Sequence, residues 1–83
     1  MTDESRRVLE VIRSGGNVRG WDLMSRTGLT DGETLRKAVM PLIKEDLLSV
    51  SGNVTSGEDI LSAVFGIRPS SIPRAEFLLK QAM

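Results

Sequence analysis

The chain has 83 residues, with 11 lysines and arginines against 11 aspartates and glutamates, and it contains no cysteine and no histidine. This length suffices for one small domain, so a single domain over residues 1–83 is expected. Without cysteine there are no disulfides or thiolate metal sites, and without histidine the commonest general base and metal ligand are missing. We therefore expect no enzyme activity and no cofactor.

The overall charge and the distribution of apolar residues narrow the function classes further. A net charge of zero argues mildly against nucleic-acid binding, because phosphate neutralisation supplies most of the non-specific affinity, although local charge can override it. No apolar run is long enough to span a membrane, and no apolar segment follows the charged N-terminus MTDESRRVLE. We expect a cytoplasmic protein without membrane contact.

A first helix is predicted over residues 3–14. Thr2 or Asp3 can cap it, and the glycine pair 15–16 should stop it, because glycine accepts the left-handed conformation that helix ends need. Its apolar residues recur at helical spacing, which predicts one buried face. That face consists of Val8, Leu9, Val11 and Ile12.

A second helix is predicted over residues 19–27, after a short connector at residues 17–18. Gly28 should end it in a left-handed turn. Leu23 and Met24 are its inward positions, and Trp21 should lie at the edge of the core.

A third helix is predicted over residues 31–45, with Thr30 or Asp31 as its cap. Pro41 lies inside it and removes one backbone hydrogen bond, so it should kink the helix or restart its last turn. The apolar stripe has spacings of three and four residues. It consists of Leu35, Ala38, Val39 and Leu42.

The segment after residue 47 admits two interpretations. In the first, apolar residues alternate along a strand over residues 61–67 that pairs with residues 47–51. In the second, Ser56 caps a helix that Gly66 ends, with an apolar face at Ile60, Leu61, Val64 and Phe65. The local signals slightly favour the helix but leave both interpretations open.

A last helix is predicted over residues 72–82, with Ser70 or Ser71 as its cap. Ile72, Ala75 and Leu79 share one face, and Phe77 and Leu78 extend the apolar surface beyond a single stripe. Such a helix either buries this surface in its own domain or shares it with a second copy, so Phe77 and Leu78 are the candidate dimer interface.

A helix, a Gly-Leu-Thr turn and a second helix are typical of a helix-turn-helix. The segment GWDLMSRTGLTDGETL, residues 20–35, is similar to that of PadR- and MarR-type regulators. TLRKAVMPLIKEDLL, residues 34–48, resembles the recognition helix and exit strand of GntR-type repressors, and FGIRPSS, residues 65–71, resembles the end of a wing strand. The departures from these families are an extra residue near Gly32-Glu33, Met24 for a small residue, Pro41 in the recognition helix, and Asp46 for a glycine.

The resemblance implies a winged helix-turn-helix, a mostly α fold with a small β-hairpin in the α+β class. The helix-turn-helix would cover residues 19–46 within a three-helix core, the wing 47–68 with a returning strand at 61–67, and the C-terminal helix 71–82. It further implies sequence-dependent binding of double-stranded DNA and transcription regulation by a homodimer.

In that fold the third helix enters a major groove, so its outward side chains are the candidate contacts. Arg36 would reach a guanine edge, Lys37 and Lys44 would meet phosphates, and Arg19 and the wing tip at residues 52–53 would add backbone contacts. The expected DNA-binding residues are Thr30, Thr34, Arg36, Lys37, Met40, Lys44, Arg26 and Asn53.

The alternative is a winged-helix module that binds a protein partner within a larger complex and does not bind DNA. Asp31 and Glu33 place negative charge at the helix end that would approach phosphate, and Glu33 is spaced to pair with Arg36 or Lys37 on the helix surface. Trp21, the only tryptophan, would be an interface anchor in this alternative.

Overall fold

The computed structural model describes residues 2–81, which form four α-helices and one three-stranded antiparallel sheet. In chain order the elements are α1 (Asp3–Gly15), β1 (Val18–Arg19), α2 (Gly20–Thr27), α3 (Gly32–Lys44), β2 (Leu48–Ser51), β3 (Val64–Ile67) and α4 (Ile72–Gln81). Short 3₁₀ helices occupy Asp59–Ser62 and Pro69–Ser71. The predicted fold class, mostly α with a small β-hairpin, is confirmed. The predicted end of the last helix, Ala82, lies outside the described residues.

The helices begin and end where their capping residues indicate. Thr2 accepts a hydrogen bond from the backbone N–H of Ser5 at 3.1 Å, and Asp31 accepts one from the backbone N–H of Thr34 at 2.8 Å. Gly28 ends α2 with φ 76°, in the left-handed region. α3 continues through Pro41 up to Lys44.

The end of α3 shows why a glycine would suit position 46. The N–H of Leu47 donates to the carbonyl of Leu42 at 3.1 Å, and the N–H of Asp46 donates to the carbonyl of Ile43 at 3.0 Å. These two bonds form a Schellman motif, which needs a left-handed residue after the helix. Asp46 supplies it with φ 58°, the only positive φ among the non-glycine residues between 2 and 81.

The core lies where α1, α2 and α3 meet one face of the sheet. Ser5 is also buried there, and its hydroxyl donates to the carbonyl of Ala38 at 2.7 Å, which links α1 to α3. The apolar stripes predicted for α1 and α3 are confirmed, except that Val11 is half-buried. The buried apolar residues are Val8, Leu9, Ile12, Val18, Leu23, Leu35, Ala38, Val39, Leu42, Leu47, Leu48, Ile60, Ala63, Phe65 and Ala75.

The sheet corrects the prediction of a plain connector at residues 17–18. Val18 pairs with Phe65 and Arg19 with Val64, so β1 joins the hairpin and the strand order is β1-β3-β2. A strand of two residues has no periodicity of its own. Its partner lies far along the chain, so local sequence patterns do not reveal it.

The two interpretations of residues 56–67 each describe a different part of that segment. β3 begins only at Val64 and pairs with β2, whereas residues 59–62 form a 3₁₀ helix whose first N–H donates to the hydroxyl of Ser56 at 3.1 Å. The predicted strand over 61–67 is therefore too long at its start. The predicted helix is too long at its end, because Val64 and Phe65 belong to the strand.

The predicted wing tip at residues 52–53 is also wrong in position. Ser51 pairs with Val64, so Gly52 lies at the base of the hairpin, where a Cβ would be 3.1 Å from the Cα of Ala63. The chain between the two strands, residues 52–63, is called the wing loop below. The wing loop packs against the rest of the domain, and Ile60 is fully buried in the core.

Candidate functional site

The outward side of α3 is a row of polar and long side chains. The four core positions of this helix point to one side, so residues spaced by three and four on the other side face away from the core. They are Glu33, Lys37, Met40 and Lys44, called the outer row below. The three charged members are exposed, and Met40 is half-buried.

The carboxylate of Asp31 caps the first turn of α3. Asp31 accepts from both the backbone N–H and the hydroxyl of Thr34, at 2.8 and 3.0 Å. The bond from the backbone N–H of Thr34, and to a lesser extent the bond from its hydroxyl, holds the pKa of the Asp31 carboxyl below its usual range. The hydroxyl of Thr34 is therefore engaged within the protein, whereas Thr30 lies exposed before the cap.

The wing loop packs directly on this first turn. A Cβ on Gly32 would overlap the carbonyl oxygen of Gly57 and lie 2.7 Å from its carbonyl carbon, and a Cβ on Gly57 would lie 2.6 Å from the backbone nitrogen of Glu33. Two backbones approach this closely only where both residues lack a side chain. The extra residue noted near Gly32-Glu33 thus lies where the wing loop contacts α3.

Arg36 lies on the same flank of α3, one turn further along. Its Nε donates to the carbonyl of Val54 at 3.1 Å, and its Nη1 donates to Glu33 at 3.2 Å. Its side chain is 31% exposed. The structure therefore places Arg36 between helix and wing loop, with two of its nitrogens bonded inside the protein.

The charges around the start of α3 have mixed signs. Asp31 and Glu33 lie on the helix itself, and the wing loop adds the exposed carboxylates of Glu58 and Asp59. The carboxylate of Asp59 accepts from the hydroxyl of Thr55 at 3.3 Å, within the loop. Positive charge in the outer row belongs to Lys37 and Lys44, in its middle and last turns.

The remaining expected contact residues are dispersed. Arg26 lines a shallow pocket between α1 and α2 together with Arg7 and Glu10. Asn53 lies exposed in the wing loop, where its carbonyl oxygen accepts from the N–H of Thr55 at 3.0 Å. Thus α3 brings Lys37, Met40 and Lys44 together, while Arg26 contributes to a different contact between helices.

α4 and α2 each expose a large apolar side chain. Phe77 is 59% exposed, whereas its neighbour Leu78 is half-buried beside Pro41 and Leu47. Trp21 is 57% exposed, so the expectation that it packs at the edge of the core is wrong. The ion pair between Arg13 and Glu76 holds α4 on α1 and lowers the pKa of the Glu76 carboxyl.

Comparisons with known proteins support the fold. No model of a known protein family matches the sequence, and no curated protein matches it either. Among solved structures, the multiple antibiotic-resistance repressor MarR from Listeria monocytogenes superposes with a TM-score of 0.71 over 98% of this chain, at 21% sequence identity. The chain has the winged-helix fold. It spans 50% of the length of that repressor.

In the winged helix, α2 and α3 are the helix-turn-helix, and β2 and β3 with the wing loop are the wing. The described residues, 2–81, contain no helix long and apolar enough to cross a membrane, and no cluster of carboxylates that would hold a metal ion. The docking of the wing loop on α3 was not among the contacts expected from the sequence. The signal available for it was a glycine at the first position of a helix, with a second glycine in the loop.

Proposed function

We propose that this winged helix binds double-stranded DNA through α3 and acts in transcription regulation. The observation that carries the proposal is the outer row, which lies on the second helix of a helix-turn-helix and which other elements of the described chain leave accessible. In this fold that helix is the one that enters a major groove. The solved structure with the same fold is named as a repressor, which supports the proposal.

Lys37 and Lys44 are the side chains best suited to meet phosphates. Among residues 2–81, the ion pairs within 4 Å engage Arg13, Arg36, Arg68 and Arg74, so neither lysine has to leave a carboxylate in order to bind DNA. Met40 lies between them and offers an apolar contact to a base edge. Thr30, Arg26 and Asn53 are candidates for contacts at the margins of this surface.

The carboxylates around the start of α3 should make binding weak at physiological salt. Asp31, Glu33 and Glu58 repel phosphate, so the duplex should meet the middle and last turns of α3 more closely than its first turn. Because the outer row offers only Lys37 and Lys44 to phosphates, few counterions are released on binding. We expect a shallow salt dependence, with a slope set mainly by the two lysines.

Fluorescence anisotropy of a labelled mixed-sequence duplex, measured from about 50 mM salt upward, tests the proposal. Lys37→Ala and Lys44→Ala should each lower the salt slope by about 0.9, the value for one lost phosphate contact. Lys80→Ala removes the same charge from α4 and should leave the slope unchanged. Absence of binding by the wild type at about 50 mM salt would contradict the proposed function.

A second candidate, favoured by Phe77, is a protein-contact function of α4, with a homodimer through Phe77 and Leu78 as its simplest form. Phe77 is 59% exposed on α4, a helix that buries Ala75 in the core, and such side chains are common anchors of interfaces. Sedimentation equilibrium at high protein concentration tests it. A strict monomer there would remove the homodimer, and Phe77→Ser in a dimeric wild type should restore the monomer.

A further inference from the structure

We infer that Arg36 is a positioning residue, whose guanidinium holds the wing loop on the first turn of α3 and does not itself contact DNA. The effect on DNA binding rests on the proposed function, whereas the docking of the loop is a property of the free protein. The wing then has a fixed position beside the outer row before any duplex is bound.

A hydrogen bond from Arg36 joins the wing loop to α3. Within residues 53–58, the remaining hydrogen bonds stay in the loop or its 3₁₀ helix, for example from Thr55 to Asn53 and from Asp59 to Ser56. In the described chain, the bond from Arg36 to the carbonyl of Val54 is the one that joins residues 53–58 to another element. It is charge-assisted, which makes it stronger than a bond between neutral groups.

The backbones of Gly32 and Gly57 lie in close contact, but this contact contributes little attraction. Gly57 touches the backbone of Gly32 and Glu33, and a single methyl group on either glycine would push the loop away. Arg36 lies one turn further along α3 and binds Val54, three residues before Gly57. The loop is therefore fixed at two points on one flank of the helix, and Arg36 supplies the directional bond.

The same geometry argues against a role for Arg36 in reading bases. A guanidinium that turned toward a guanine edge would have to release Val54 and Glu33, and the released carboxylate would then face the duplex. Such a turn would also break the bond from Nε to Val54 that docks the loop. A docked loop, in contrast, lowers the entropy cost of ordering this segment when the duplex arrives.

Hydrogen exchange on the free protein, measured by NMR, provides the first test. Arg36→Ala should raise the exchange rates of the amides in residues 53–58, while the amides of α1 keep their wild-type rates. Gly57→Ala removes no charge but its Cβ displaces the loop, so it should raise the same rates. Unchanged exchange in residues 53–58 of both variants would overturn the inference.

DNA binding provides the second test. Substitution of a residue that contacts phosphate lowers the salt slope of binding, whereas substitution of a residue that only positions the loop does not. Arg36→Ala and Gly57→Ala should each weaken binding roughly fivefold to tenfold, the range that one partly exposed charge-assisted hydrogen bond sustains, with the wild-type slope retained. The double variant should be no weaker than either single one, because both changes free the same loop. Arg36→Lys keeps the charge but not the forked geometry, and should resemble Arg36→Ala.

The opposite results would identify Arg36 as a direct DNA contact. They are a slope lowered by about 0.9 in Arg36→Ala, additive effects with Gly57→Ala, and affinity restored by Arg36→Lys. A wild type that binds no duplex at about 50 mM salt would remove the proposed function and the role of the loop in binding. The exchange rates would still decide whether Arg36 holds the loop.

Discussion

The helical core and the wing loop differ in what holds them in place. In the core, Leu9, Leu35 and Phe65 lose all contact with solvent, and the free energy of their burial does not depend on direction. The wing loop is anchored in the core at its end by two fully buried residues, Ile60 and Ala63, whereas residues 53–58 contain no fully buried side chain. That stretch is held by the half-buried Val54, by a backbone contact between two glycines and by the hydrogen bond from Arg36. Substitutions that remove buried side-chain volume should therefore destabilise the core. The loop should instead be displaced by substitutions that add volume at the glycine contact or that remove the Arg36 donor.

The largest expected effect tests the core. Leu35→Ala should lower the free energy of unfolding by roughly 2–5 kcal/mol, because it removes buried methyl groups and leaves a cavity between α1 and α3. Lys37→Ala, on the exposed side of the same helix, should change it by no more than about 0.5 kcal/mol. Urea denaturation followed by circular dichroism measures both, and similar values for the two variants would mean that α3 is oriented differently.

The next effect tests the loop with one added methyl group. Gly32→Ala should cost about 1–3 kcal/mol, less than Leu35→Ala, because its Cβ overlaps the carbonyl of Gly57 but the loop can move away. Hydrogen exchange should rise in residues 53–58. Gly28→Ala is the control, since its φ of 76° imposes backbone strain but no atom lies within 4 Å of the added Cβ. An unchanged loop in Gly32→Ala would show that the two backbones are not in contact.

A smaller effect of opposite sign is expected at the end of α3. Asp46→Gly should stabilise the protein by about 1 kcal/mol, because glycine adopts φ 58° without a Cβ penalty and the substitution removes a negative charge at a helix C-terminus. Asp46→Ala removes the same charge but keeps the Cβ, so it separates charge from backbone strain. Chemical denaturation should rank glycine above both alanine and the wild type. A glycine variant no more stable than the alanine variant would contradict the role of φ.

The smallest expected effect is on the pH dependence of stability, through the Asp31 cap at the start of α3. The pKa of Asp31 is lowered in the folded state by Thr34, so its contribution is present above the unfolded pKa and lost as pH falls through the folded pKa. Asp31→Asn keeps a capping oxygen but does not titrate, so its stability should fall less steeply as the pH is lowered below the ordinary pKa of an aspartate. Thermal melts across this range compare the two. Parallel curves would show that the Asp31 cap is not linked to protonation.

The core could be predicted from the sequence because its signal is local and periodic. Leu35, Ala38, Val39 and Leu42 recur at helical spacing, and Gly28 and Asp31 mark helix ends by their own conformational preferences. The outer row follows from the same spacing, since it is the side of α3 opposite the stripe. Periodicity therefore gave both the buried face of α3 and its candidate contact residues.

The wing loop could not be predicted, because its contacts join residues far apart in the chain. The pairing of Val18 with Phe65 leaves no local pattern, and the glycines at positions 32 and 57 do not reveal that they lie against each other. The hydrogen bond from Arg36 to the loop could not be predicted for the same reason. Helical spacing places Arg36 away from the core stripe, but only the position of Val54 shows that the side chain is bound by the loop.

Titration of the ¹⁵N-labelled protein with a short duplex tests the central claim, that the outer row and the docked wing loop form one DNA-contacting surface. We expect chemical-shift changes that cluster at Lys37, Met40 and Lys44 and in residues 53–58, with α4 unaffected. These changes should be lost in a Lys37→Ala, Lys44→Ala double variant. Shift changes centred on Phe77 and α4, or none at about 50 mM salt, would contradict it.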